Sequence, residues 1–134
     1  MKLSELIKDL KIDRIKGNID IDINGISQNS KTVKDGYLFV CIEGFVLDGH
    51  KYIPEAIQRG ARAILLQKDI PINKNISALQ VKDTRKALAL LANRYYDYPS
   101  RKLKVIGITG TNGKTTVAYM LKAILEEANK KVGL

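Results

Sequence analysis

VIGITGTNGKTT, Val105–Thr116, runs from a short apolar stretch through a glycine-bearing turn into residues suited to start a helix. Val105, Ile106 and Ile108 predict a short buried strand. Beyond the turn, Val117, Met120, Leu121, Ile124, Leu125 and Ala128 recur at i, i+3, i+4, i+7, which predicts one apolar face of a helix. Val132–Leu134 reads as the beginning of a second strand. Strand, turn, helix and returning strand make a βαβ unit, so the fold class expected is α/β. One strand and one helix do not complete such a unit, and the chain is expected to end mid-fold.

A glycine-rich turn between a strand and a helix N-terminus aims several backbone N–H groups at one point, where the helix dipole also favours negative charge. Phosphate fits there. Gly110 and Gly113 let the backbone approach closely, Lys114 can neutralise β- and γ-phosphate oxygens, Thr115 can place its hydroxyl on Mg²⁺, and Thr116 adds a donor. The strict nucleotide-loop pattern asks for glycine at position 108, where Ile108 stands; Gly107 and Gly110 are the nearest, so the match is to a variant.

Upstream, the elements alternate. Leu3, Leu6, Ile7 and Leu10 behind Ser4 predict a first helix with Ser4 as its cap, and Ile19, Ile21 and Ile23 alternate with polar residues as a half-buried strand would. Tyr37–Ile42, after the Asp35-Gly36 turn, is an apolar run suited to a strand covered on both faces. A loop follows at 43–50. Pro54 opens a helix carrying Ile53, Ala56 and Ile57, with Gly60 at its end; Ala63–Leu66 is a strand, Ile70–Asn75 an exposed loop, and Ala78–Val81 another strand. Asp83 caps a helix whose apolar face is Ala87, Leu88, Leu91, Ala92 and Tyr95, and Pro99-Ser100 breaks the pattern. A domain of residues 1–100 and an incomplete one of 101–134 are expected.

Composition narrows the class. Of 134 residues 45% are hydrophobic, enough for a buried core. The N-terminus has charges every few positions, unlike a signal peptide, and no apolar run approaches the roughly 18 residues of a membrane span; a cytoplasmic protein with no membrane association is expected. Cys41 is the only cysteine and lies inside YLFVCI, so it reads as a small core residue. His50 reads equally as a surface residue or a ligand contact. The net charge of +9 invites a nucleic-acid partner, but the excess is scattered, +5 over 101–134 and +4 over 1–100, with no basic block, so none is expected.

VIGITGTNGKTT closely resembles the ATP-binding signature of the Mur ligases, a family shared with folylpolyglutamate and cyanophycin synthetases. SQNSK (27–31), DGYLFVCIEG (35–44) and DGHKYIPEAIQRGARAIL (48–65) resemble the N-terminal domain with which Mur ligases bind the uridine nucleotide of the muramoyl precursor. DTRKALALLANRYYDYPSRKL (83–103) looks most like the branch that adds the third residue of the peptide stem, ahead of the sister branch that adds D-alanyl-D-alanine. Lys31 stands where the family usually carries Arg, and Asn129 where Gly is usual.

This resemblance implies a soluble monomeric ligase using ATP and Mg²⁺. ATP would phosphorylate a carboxylate of UDP-N-acetylmuramoyl-L-alanyl-D-glutamate, and an incoming amino acid would attack the acyl phosphate to form an amide. By position it assigns Gly110, Thr111, Asn112, Gly113, Lys114, Thr115 and Thr116 to ATP, with Lys114 catalytic and Thr115 on the metal. Gln28, Ser30, Phe45, Val46 and Leu47 fall to the uridine diphosphate, the loop acting more through its backbone. Simpler readings stand beside these: Ser30 can close a turn, and Phe45–Leu47 can cover a core. A non-catalytic nucleotide-sugar-binding module is the alternative to a ligase, and the chain alone is expected to be inactive.

Overall fold

Leu38, Phe39, Val40 and Cys41 are all fully buried, and alternate residues of this run enter two separate cores. They belong to a five-stranded sheet. The computed structural model describes residues 1–73 and 75–134, so the loop expected at 70–75 lies in part, at Lys74, outside the described residues. The strands are β1 (Arg14–Lys16), β2 (Gly25–Ser27), β3 (Tyr37–Val40), β4 (Ala61–Leu66) and β5 (Ser77–Gln80). The helices are α1 (Leu3–Leu6), α2 (Ile53–Gln58), α3 (Thr84–Tyr95) and α4 (Lys114–Glu127). Residues Met1–Pro99 and Ser100–Leu134 form two compact units.

In the first unit the sheet order is β1-β5-β4-β3-β2, with β2 to β5 parallel and β1 antiparallel at the edge. Parallel strands with helical crossovers are covered on both faces, which is why β3 and β4 read as continuous apolar runs. Leu38, Val40, Leu65 and Leu79 face α1 and α3 with Leu3, Leu6, Ala87 and Leu91. Phe39, Cys41, Ile64 and Leu66 face α2 with Ile53 and Ala56. The register slips between Tyr37 and Leu38, which pair with Ala61 and Ala63, so exposed Arg62 is skipped and the two alanines fall on opposite faces. Thus the α/β class expected from the sequence is what the chain adopts.

Some local expectations are corrected. Ser4 does not cap α1, which starts after Lys2 without a side-chain cap. Instead the N–H groups of Leu3 and Ser4 donate to the carbonyls of Ile21 and Ile19, at 2.8 and 2.9 Å. The Ile19–Ile23 segment is therefore no sheet strand: its alternation buries Ile23, but its carbonyls end the first helix's orphan donors. The helix is also shorter than Leu3–Leu10. By contrast, Asp83 caps α3 as expected, its side chain accepting from the Lys86 N–H at 2.9 Å.

In the second unit α4 forms over the expected positions, yet none of its residues is buried. The buried strand expected at Val105–Ile108 does not form; Val105 is 73% exposed. Nor does Val132–Leu134 form a strand. A parallel strand has no internal hydrogen bonds and needs a neighbour to satisfy its backbone, and this unit's described residues offer none.

Candidate functional site

Because β2 to β5 are parallel, the segments after them all leave the same carboxyl edge of the sheet, the edge where open α/β sheets bind ligands. Gln28 and Ser30 follow β2, the residues at 43–48 follow β3, Gln67 and Lys68 follow β4, and Asp83 follows β5. Gln28 is exposed. Ser30 is only 6% exposed and sits in a 3₁₀ turn, Ser30–Thr32, capped by the Asn29 side chain on the Lys31 N–H. Its hydroxyl donates to Glu55 Oε2 at 2.7 Å, linking this turn to α2. That bond, with Arg59 on the same carboxylate, holds Glu55 below the ordinary carboxylate range. Ser30 therefore closes and anchors the turn, with only an oxygen lone pair left to offer a ligand.

The loop after β3 is a tight hairpin. Glu43 and Asp48 pair across its base, and the Gly44 N–H donates to the Leu47 carbonyl at 2.8 Å. At its tip Phe45 is 108% exposed and Val46 93%, so these side chains cover no core. Three adjacent apolar side chains held in water by a short hairpin are costly to hydration unless something covers them.

His50, expected equally on the surface or at a ligand, is buried instead, and both its ring nitrogens are used. Nε2 accepts the Gln67 N–H at 3.1 Å, so it carries no proton; Nδ1–H then donates to Asp48 Oδ1 at 2.6 Å. Asp48 also accepts the His50 N–H at 3.0 Å and Lys68 Nζ at 2.6 Å. Lys68, and then the His50 donors, hold the Asp48 carboxyl well below the ordinary range. Burial, reinforced by the Asp48 charge, pushes the Cys41 thiol up to about 12, consistent with a packing residue and not a nucleophile. Sequence reasoning missed this cluster because its members are scattered over 43–85; only the DGH triplet hinted at it.

The depressed Asp48 group makes a signed prediction. Its contribution to stability is present above the unfolded-state value, ordinarily 3.8, and is lost as pH falls below it, because the unfolded chain takes up the proton first. The stability difference between wild type and Asp48→Asn, followed by urea titration, should therefore stay level from neutral pH downward and shrink only in that acid range. A difference that already shrinks near neutral pH would contradict it.

At the start of α4, Gly113 occupies the cap position at φ 76°, a left-handed conformation that side chains rarely adopt. A Cβ there would meet nothing within 4 Å, so the glycine serves backbone shape and an open approach. The first N–H groups of α4 have no partner within the helix, and Lys114 Nζ folds back to donate to the carbonyls of Gly110 at 2.7 Å and Thr111 at 3.4 Å. The ammonium is thus held against the loop carbonyls beside the unpaired N–H groups of the helix start, a combination suited to an anion. Thr115 is a single hydroxyl, and among the described residues no group of three or more His, Cys, Asp or Glu is placed to hold a metal. Mg²⁺ here would take its other oxygens from phosphate and water. Among the described residues, no helix is long and apolar enough to cross a membrane.

Comparison with known proteins bears on the family of the chain. The family described as "Mur ligase family, catalytic domain" matches residues 22–96, and "Mur ligase middle domain" matches 108–134. The chain is 48% identical over 134 residues to the UDP-N-acetylmuramoyl-L-alanyl-D-glutamate--2,6-diaminopimelate ligase of Clostridioides difficile, covering all of this chain and 28% of that protein. It is 50% identical to the ligase of the same name from Alkaliphilus oremlandii, again over all of this chain and 27% of the relative. It thus spans little more than a quarter of the length of the curated relatives it matches. Among solved structures, a MurF from Acinetobacter baumannii matches with a TM-score of 0.63 and 28% identity, over 94% of this chain and 27% of that one. MurF ligase from Thermotoga maritima in complex with ADP matches at 0.59 and 32% identity, over 76% and 23%. With a family match over more than half its length and a mostly parallel sheet flanked by helices, the chain belongs to the Mur ligase family.

Proposed function

We propose that this chain carries the uridine-nucleotide-binding portion, residues 1–100, and the start of the ATP-binding portion, residues 101–134, of a cytoplasmic ligase of peptidoglycan precursor synthesis. The ligase adds a third amino acid to UDP-N-acetylmuramoyl-L-alanyl-D-glutamate; 2,6-diaminopimelate is the amino acid in the names of the similar ligases. The observation that carries the ATP assignment is Lys114 Nζ poised over the Gly110–Thr116 loop.

ATP with Mg²⁺ supplies the phosphoryl group that converts the precursor carboxylate into an acyl phosphate. The chain's residues do the positioning. The backbone N–H groups from Gly113 to Thr116 bind β- and γ-phosphate oxygens, Lys114 neutralises their charge as a carboxylate approaches, and Thr115 orients its hydroxyl toward the metal. At the carboxyl edge of the sheet, Gln28, the Ser30 turn and the Phe45–Leu47 hairpin hold the uridine diphosphate, the apolar tip covering the base or sugar and the exposed Gln28 side chain beside the turn offering polar contacts. No residue of this chain is assigned to the incoming amino acid, so the chain alone is not expected to make the amide. It acts as a monomer on small molecules, with no role for nucleic acid or membrane.

Titration calorimetry of the 134-residue chain with the uridine-nucleotide precursor, in the absence of ATP, tests the first assignment. Saturable heat that is unchanged by added ATP is expected. Absence of binding at millimolar precursor would refute the carboxyl-edge site, while ADP release by this chain that depends on both precursor and amino acid would refute its inactivity.

A further inference from the structure

The apolar hairpin would be of little use to a ligand if it swung freely, since each floppy residue must be ordered on binding. Its base is fastened by a closed circuit of hydrogen bonds. Lys68 Nζ bridges Glu43 Oε1 at 2.8 Å and Asp48 Oδ2 at 2.6 Å, the two residues that pair across the hairpin. The other Asp48 oxygen receives His50 Nδ1–H, and His50 Nε2 receives the N–H of Gln67, the residue before Lys68. Gln67 in turn uses its side-chain oxygen to accept both the N–H and the hydroxyl of Thr84, at 3.2 and 2.6 Å, at the first turn of α3. Arg85, next along α3, donates to the Glu43 carbonyl at 3.2 Å.

Steric contacts reinforce the circuit. A Cβ on Gly49 would lie 2.7 Å from Ile42 N, so the chain leaving the hairpin is pressed against the chain entering it. The Gly49 N–H also donates to the Ile42 carbonyl at 2.9 Å. The tip itself has no such support: its three side chains are exposed, and its one internal bond is Gly44 N–H to Leu47 O. Stiffness at the tip must therefore come from the base.

We infer that His50 and Lys68 are positioning residues, which lock the Glu43–Asp48 hairpin to the ends of β4 and α3 so that its apolar tip meets the uridine nucleotide already ordered. The inference rests on the carboxyl-edge reading above, and adds to it two residues that act through the hairpin without touching the ligand. His50 does this as a neutral imidazole, accepting at one nitrogen and donating at the other. Lys68, whose side chain is 43% exposed, does it by charge-assisted bonds to two carboxylates.

The test uses the 134-residue chain, the precursor UDP-N-acetylmuramoyl-L-alanyl-D-glutamate as probe, and amide hydrogen exchange at Gly44 in the free protein. Lys68→Met should weaken precursor binding about tenfold, speed Gly44 exchange and lower the melting temperature modestly, since it also takes the ammonium partner from the half-buried Asp48 carboxylate. Lys68→Arg, which still reaches both carboxylates, should restore binding and protection. His50→Ala should show the same two losses with some destabilisation, and the Lys68 pair keeps the test decisive if that variant unfolds. Wild-type affinity in Lys68→Met, or unchanged Gly44 protection, would overturn the inference while leaving the site reading intact. Weaker binding with unchanged protection would do so by making Lys68 a direct contact. A wild-type chain that binds no precursor would instead remove the site reading, and this inference with it.

Discussion

Lys114→Ala in a complete ligase containing this chain is expected to lower turnover by roughly 10² to 10³ or more, while uridine-nucleotide binding stays nearly intact. The argument runs from placement to charge. Lys114 is the first residue of α4, exposed, and its ammonium reaches back to Gly110 O at 2.7 Å. In the proposed function that position is where the γ-phosphoryl charge is balanced as an anionic carboxylate attacks it, so the loss is expected to fall on the transition state more than on the ground state. Stability should change by less than about 0.5 kcal/mol, the usual range for an exposed substitution away from a cap or core. Lys114→Arg should rescue little, because a planar guanidinium does not fit between phosphate oxygens as a compact ammonium does. Steady-state kinetics with saturating ATP, beside precursor titration, checks both halves. Wild-type turnover would remove the phosphate role, and loss of precursor binding would point to a structural one.

The legibility of this chain depended on how local each cause is. The run YLFVCI could be read because a parallel strand buried on both faces leaves a continuous apolar signature, and α3 because its cap and apolar face are both encoded within a few residues. The edge strand β1 could not. Arg14, Ile15 and Lys16 are all exposed, so no alternation marks them, and the charges that hide the strand also guard the edge. The start of α1 failed for a different reason: its donors are satisfied by carbonyls at Ile19 and Ile21, and a partner that far along the chain has no local signature. The strand expected at Val105–Ile108 had the right composition and lacked a neighbour. On the candidate site, the proposal of a phosphate loop rests on a local pattern, glycine, lysine and threonine within seven residues, and what the structure adds there is the left-handed Gly113 at the cap of α4. The His50–Asp48–Lys68 circuit was illegible since folding brings its ends together across β4 and α3.

Two phenylalanines, the only two in the chain, should respond to truncation in opposite ways. Phe39 is fully buried in β3 among Cys41, Ile53, Ala56 and Ile64, where removing the ring leaves a cavity that rigid strands on either side cannot close. Phe39→Ala should cost about 3–5 kcal/mol, against a total of about 5–15 for an ordinary domain. At about 4–8 °C per kcal/mol for a unit of this size, the melting temperature should fall by more than ten degrees or so, and the first unit should approach unfolding at 37 °C. Phe45, six residues later, is 108% exposed at the hairpin tip and packs against nothing that its loss would uncover. Phe45→Ala should hold its melting temperature within the change expected of a surface substitution, about 0.5 kcal/mol either way. Thermal unfolding of the two variants side by side separates a residue kept for the core from one kept for what lies outside it. If Phe39→Ala melted like wild type, the two-faced packing of β3 would be wrong; if Phe45→Ala melted far below it, the hairpin tip would be packed against the protein and unavailable to a nucleotide.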